Sequence, residues 1–305
     1  MIEKIILSTL ISLSPSEKRA LNNLQNKLEN KGYDISEYFE NPKFEIYKFE
    51  TKNKFVNYSD TTKSWYMRKD SLEKCADFIE KQYYWLKKAE KEFGVSPEHI
   101  TSQLQLETNL GQYTGNYPVI NALISRYLRR PDLRGQYYVY LTDFLDLVSD
   151  TTDNIILPKE IFEIKGSWAG AYGIAQMMPN VLKKYGRDSD FNGDGFFDSM
   201  NIQDAIGFIA RYLSENGFKE NSHKAIQRYN SGHPFYGTSI GKHTKELEKI
   251  IKKRRSMPPE KLMPLKEMPK FSRKIKTSLL DAKPIPKYEV PKKQIFIKRI
   301  FSRKN

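Results

Sequence analysis

Two stretches of the chain hold side chains whose types and spacing could do chemistry. In Ser96–Gly111 (SPEHITSQLQLETNLG) a single carboxyl group, Glu107, stands where a helix would otherwise place a leucine. At about 100° per residue, Ile100, Leu104, Glu107 and Gly111 share one narrow arc, and Leu106 and Leu110 occupy the arc beside it. A carboxyl group held among apolar side chains is charged only at a cost, so its pKa rises toward the range of a general acid. A carboxylate that caps or pairs within a core is the competing, structural reading. The second stretch, Asp190–Asn201 (DFNGDGFFDSMN), sets oxygens at EF-hand spacing around Gly195. Asp190, Asn192, Asp194, the Phe196 carbonyl, Asp198 and Asn201 would wrap one structural calcium ion, and an Asx-rich turn is the alternative. Asn201 offers one neutral oxygen where a bidentate glutamate is usual, and could instead cap the next helix with Asp204 at its third position.

The elements that must position these groups read as mainly α. Ser96 is a good N-cap, Pro97 suits a first helical turn, and Glu98 suits the positive end of the helix dipole. A helix from Asp70 to about Phe93, with Leu72, Cys75, Phe78, Ile79, Leu86 and Ala89 at helical spacing, stops at Gly94 and leads into the Glu107 helix. Further helices are expected up to Gly32, over Ile120–Tyr127 and Tyr137–Val148, after Ala171, and after Gln203 with Gly217 as the stop. Pro131 and Gly135 force a break in RRPDLRG, and Phe44–Phe49 is β-like. The small residues of Gly166–Pro179 (GSWAGAYGIAQMMP) permit a close approach of backbones or of a ligand, and taken alone suggest a tight helix–helix contact. Arg228–Gly232 (RYNSG) adds a Tyr and an Asn in a turn.

The net charge of +14 resembles a nucleic-acid signal until it is located. Residues 252–305 hold 18 of the 51 basic side chains and 4 of the 37 acidic ones, which leaves 33 of each in the rest. A neutral folded part argues against a nucleic-acid groove and moves the question of an anionic partner to the basic tail; a monomer is expected. That tail, scattered with prolines and ending in KKQIFIKRIFSRKN, reads as disordered and suited to an anionic membrane or wall polymer. The single cysteine, Cys75, excludes an internal disulfide and a cysteine-based metal site, and packing is its expected role. The chain divides into four segments: 1–16, a signal peptide or N-terminal anchor around IILSTLISL; 17–64, an N-terminal extension; 65–250, the catalytic domain; and 251–305, the tail.

In this order ETNLG, GSWAGAYGIAQMMP, the DFNGDG loop with DAIGFIARYL, and RYNSG resemble the lytic murein transglycosylase B family over roughly residues 60–240. The resemblance implies a lysozyme-like fold, export to the periplasm or cell envelope, and no organic cofactor. It also implies non-hydrolytic cleavage of the MurNAc–GlcNAc β-1,4 bond of peptidoglycan to a 1,6-anhydro end. By the same likeness Glu107 is the sole acid and base, Ser167 and Gln176 are polar cleft residues, and Arg129 and Arg130 lie near the glycan or its peptide. Tyr212, Tyr229 and Asn230 match the saccharide groove, and Tyr137 joins them with Tyr127 less directly, because RRPDLRGQYY is longer than the family's version. Asn201 stands where the family has an aspartate, and a β-rich insertion of the family between Tyr212 and Tyr229 is missing. Two other functions fit the same motifs: a hydrolytic muramidase of this fold, and a non-catalytic wall-binding or scaffold protein.

Overall fold

The computed structural model describes residues 13–49, 65–149 and 154–256. The apolar stretch around residues 5–13, apart from its last residue, and the basic tail beyond Ser256 lie outside them. The eleven helices of the described residues are α1 (Pro15–Glu29), α2 (Ser36–Glu40), α3 (Lys69–Lys81), α4 (Tyr83–Phe93), α5 (Pro97–Thr108), α6 (Val119–Arg129), α7 (Arg134–Ser149), α8 (Pro179–Tyr185), α9 (Ile202–Glu215), α10 (Ser222–Tyr229) and α11 (Tyr236–Arg255). Four two-residue strands accompany them: β1 (Tyr117–Pro118) runs antiparallel to β3 (Lys165–Gly166), and β2 (Ile155–Ile156) parallel to β4 (Phe197–Asp198).

At the centre lies α5, in contact with α3, α4, α9 and α11. Ser96 caps it through the His99 N–H, and Pro97 opens it, as its residue types require. Ile100 and Leu104 are fully buried, and so are Thr101, Ser102, Gln103 and Gln105, so this helix is enclosed on polar faces as well. Two of these polar side chains find partners on neighbouring helices. Gln105 Nε2 donates to Ser71 Oγ of α3 at 2.7 Å, and Ser102 Oγ meets His243 Nδ1 of α11 at 2.8 Å. Burial pushes the His243 pKa down to about 4, so its ring is neutral and bonds to a hydroxyl without a counter-ion. Cys75 is buried beside the same ring, in the packing role expected of it.

Four expectations change in the structure. The helix foreseen from Asp70 to Phe93 is two helices, because the backbone turns at Gln82, a residue with no helix-breaking signature. Segment 166–178 is not helical. It folds back through the paired residues Gly166–Tyr172 and Tyr172–Met177, and its small residues admit backbone rather than another helix. A Cβ on Gly166 would lie 2.1 Å from the Ala171 carbonyl oxygen, and one on Gly173 2.6 Å from Ser199 Cβ. At the C-terminal side, α11 continues past residue 250 to Arg255, where Arg254 bonds Glu73, Asp77 and Glu80 of α3 at 2.5–2.9 Å. At the other end, Ser14 and Glu17 form a capping box at the start of α1, whose Leu21, Leu24 and Leu28 enter the common core. Phe44–Phe49 forms no strand, and runs over α6 as an extended strap.

Candidate active site

Glu107 sits in the last turn of α5, and the turn after that helix aims it. Asn109, Leu110 and Gly111 all take left-handed backbone (φ 51°, 59° and 89°), which ends the helix within one residue of Thr108. Thr108 Oγ1 donates to the Ile174 carbonyl at 2.8 Å and accepts the Gly111 N–H at 3.0 Å, tying this turn to segment 166–178. A side chain on Gly111 would press Ile174 at 3.3 Å, so glycine satisfies both the left-handed turn and the contact.

Glu107 is half-buried. Burial raises its pKa to about 7, and the Tyr236 hydroxyl, donating to Oε1, opposes that rise. Among the described residues, no second carboxylate contributes to that balance. Tyr236 opens α11 and begins a ladder of rings. Tyr229 of α10 stacks on it at 6.4 Å, with the rings 7° from parallel, and Tyr212 of α9 meets Tyr229 edge-on at 4.8 Å. The Tyr229 hydroxyl donates to the Ala175 carbonyl at 2.5 Å. Burial and the charge of Glu107 hold the phenols of Tyr229 and Tyr236 well above their ordinary pKa, so both remain donors throughout the working pH range.

The other side of this wall is segment 166–178. Gln176, in left-handed conformation at φ 50°, donates to the carbonyls of Thr114 and Gly173, both at 2.9 Å, and Ser167 Oγ accepts the Ala171 N–H at 3.0 Å. Asn230 follows Tyr229 on the surface. Glu107, Tyr229 and Tyr212 are therefore linked through contacts, with Gln176 on the adjoining turn. Arg129 and Arg130 are engaged elsewhere: Arg129 pairs with Glu17 of α1 at 3.2 Å, and Arg130 with Asp132. Tyr137, expected in the groove, is buried, and its hydroxyl accepts from Arg126 Nε at 3.1 Å, so it supports another side chain. Two residues of this region were not singled out in the sequence. Tyr236 lies 129 positions from its partner, with only an aromatic after RYNSG as a signal. Arg126 is a buried cation in the apolar run VINALISRYL, and that misplaced charge was its signal.

The Asp190–Asn201 loop is wound around its own backbone. Asp190 accepts the N–H groups of Gly193, Asp194 and Gly195, Asp194 accepts that of Phe196, and Asp198 that of Met200. The loop is closed by Asp204, fully buried on α9, which takes the N–H groups of Phe191 and Asn192 on one oxygen and of Asp198 on the other. Asp204 does not complete a capping box. Asn201 caps α9 by accepting the Gln203 N–H at 2.8 Å, the helix-capping use of the two that its sequence position allowed. The remaining oxygens suit calcium in type, but no group of three or more His, Cys, Asp or Glu side chains converges on one point among the described residues. Nor is any helix of the described residues long and apolar enough to cross a membrane.

Three comparisons bear on this geometry. The family model described as the transglycosylase SLT domain matches residues 17–274. The membrane-bound lytic murein transglycosylase B of Escherichia coli (strain K12) is 31% identical over 141 residues, which are 46% of this chain and 37% of that protein. The match thus spans little more than a third of that relative's length. Among solved structures, the Escherichia coli lytic transglycosylase SLT35 in complex with calcium superposes with a TM-score of 0.62 at 20% identity, covering 76% of this chain and 93% of that one. SltB3 from Pseudomonas aeruginosa, in complex with NAG-anhNAM-pentapeptide, gives a TM-score of 0.57 at 16% identity, over 77% and 80% of the two chains. These two structures share the fold.

Proposed function

The chain belongs to the transglycosylase SLT domain family, and from that membership we propose that it is a lytic transglycosylase acting on the glycan strands of peptidoglycan, with Glu107 as acid and then base. The observation that carries the reading is a single carboxyl group whose pKa lies near 7 and whose hydrogen-bond partner is a tyrosine. Most glycosidases that use water pair two carboxylates, the second as nucleophile or as base. With one carboxyl group, the two proton transfers must fall to the same residue. Protonated Glu107 gives its proton to the leaving glycosidic oxygen, and the substrate's N-acetyl group shelters the cationic carbon. The resulting carboxylate takes the proton of the sugar's 6-hydroxyl as that oxygen closes the 1,6-anhydro ring. The Tyr236 hydroxyl, bonded to Oε1, leaves the other carboxyl oxygen to carry the travelling proton and steadies the charge between the two transfers. Tyr212, Tyr229, Asn230, Ser167 and Gln176 line the saccharide path in this reading, and Arg129 and Arg130 serve it only by exchanging their present partners.

The substrate places the site of action in the cell envelope, and export is part of the proposal. Calcium, where it binds, would take Asp190, Asn192, Asp194, Asp198 and the Phe196 carbonyl after the carboxylates turn from the backbone N–H groups they now hold. Its effect is then a modest stiffening of a loop that Asp204 already closes.

Digestion of purified sacculi followed by mass spectrometry tests the reading. Anhydro ends from the wild type and none from Glu107→Gln are expected. Reducing ends, heavier by the mass of one water, identify a muramidase instead. Release of no muropeptide by the wild type identifies a wall-binding protein.

A further inference from the structure

The strap 43–49 lies across α6 and is held to it twice. Asn121 Nδ2 donates to the Lys43 carbonyl at 2.8 Å, and Ser125 Oγ accepts the Tyr47 N–H at 2.9 Å. Fixed in this way, the strap carries two rings to two others. Tyr47 and Phe49 lie 5.0 and 5.5 Å from Tyr117 of β1, and Phe49 lies 5.9 Å from Trp168. The cluster rests on Arg126, buried on α6, whose guanidinium stands 4.4 Å from the Trp168 ring centre and is steadied by the Tyr137 hydroxyl.

This arrangement is not ordinary core. Trp168 is 49% exposed and Tyr117 38%. With one face of Trp168 against Arg126, the other turns to solvent. Single exposed rings need no explanation, but a contiguous cluster braced by a buried cation marks a binding surface. Flat, rigid aromatic faces suit the axial C–H faces of pyranose rings, and Trp168 adjoins Ser167 in the turn that builds the Glu107 cleft. A glycan strand reaching Glu107 has to run on over neighbouring surface.

We propose that Phe49, Tyr117 and Trp168 form a saccharide-stacking subsite, separate from the Glu107–tyrosine wall and completed by the N-terminal strap. The inference rests on the glycan-cleaving reading. It gives the extension before residue 65 a task in substrate selection: strands long enough to span both places bind better than short ones.

The test uses the full chain carrying Glu107→Gln, so that oligosaccharides stay intact. Peptide-free GlcNAc–MurNAc tetrasaccharide and longer strands are titrated by calorimetry and by tryptophan fluorescence. The parent is expected to favour long strands, with an emission change that Trp168→Phe abolishes while keeping most of the affinity. Trp168→Ala and Phe49→Ala should each weaken long-strand binding about tenfold, the scale of one lost stacking contact, and change the tetrasaccharide less. Unchanged long-strand affinity in both alanine variants, with melting temperatures showing them folded, overturns the subsite alone. A parent that binds no glycan of any length overturns the glycan reading, and the subsite with it.

Discussion

Replacing Glu107 by glutamine should stabilise the protein at high pH, by an amount that burial sets. The carboxyl group is neutral up to about pH 7 in the folded chain and up to about 4.5 in the unfolded one. Between those values the folded state holds a proton that the unfolded state has released, so stability is full below pH 4.5 and falls as pH rises through 7. A gap of 2.5 units at about 1.36 kcal/mol each sets an upper limit of about 3 kcal/mol by pH 8. The residue is only half-buried and water screens it in part, so ~1–3 kcal/mol is the expected range. Glutamine keeps the oxygen that Tyr236 bonds and carries no charge. Glu107→Gln should therefore melt close to the wild type at pH 4.5 and, at ~2–4 °C per kcal/mol for a domain of this size, several degrees above it at pH 8. Thermal unfolding across pH 4.5–8 by circular dichroism measures this. A constant difference, or a wild type more stable than the variant at pH 8, refutes the burial argument and restores the reading of Glu107 as a paired structural carboxylate.

Tyr236→Phe removes the hydroxyl that lowers the Glu107 pKa, so the alkaline limb of the pH–activity profile should move up by about one unit, the worth of a hydrogen bond to a charged group. A profile shifted toward acid would contradict the assignment. Asp204→Asn puts an amide N–H against backbone donors and should cost ~2–3 kcal/mol in urea unfolding, with or without calcium. Asn201→Ala should cost ~1 kcal/mol, equally in calcium and in chelator, because its oxygen caps α9; a loss seen only in calcium would make it a ligand after all. Millimolar calcium should raise the melting temperature of the wild type by a few degrees at most, and Asp190→Asn should abolish that rise.

The sequence was most legible where one residue type has one physical use. Ser96 and Pro97 open α5 as expected because an N-cap and a first-turn proline can hardly be placed otherwise, whereas Leu110 and Gly111, counted on its arcs, lie past its end at Thr108 in left-handed backbone. Glu107 was conspicuous as a charge on an apolar arc. What escaped depends on partners far along the chain. Tyr236 resembles any other of the 19 tyrosines until folding brings it to Glu107. Arg254 reads as the start of a solvated tail until three carboxylates of α3 receive it. The small residues at 166–178 signalled a close approach without saying to what, and backbone folding onto itself was not distinguishable from helix packing. At Asn201 one side chain had two lawful uses, and the Gln203 N–H shows it in one of them, the helix cap.

The pairing of Glu107 with Tyr236 also has a consequence in time. The acid is synthesised mid-chain, and its partner arrives 129 residues later on α11, the last helix of the described residues. That helix is also a neighbour of α5 and α10, so both the acid's setting and the tyrosine ladder stay unmade until it docks. During synthesis, then, the chain carries this carboxyl group without the hydroxyl that bonds it. Truncation anywhere before residue 236 should therefore leave a chain in which Glu107 lacks this hydroxyl and the tyrosine ladder lacks its first ring.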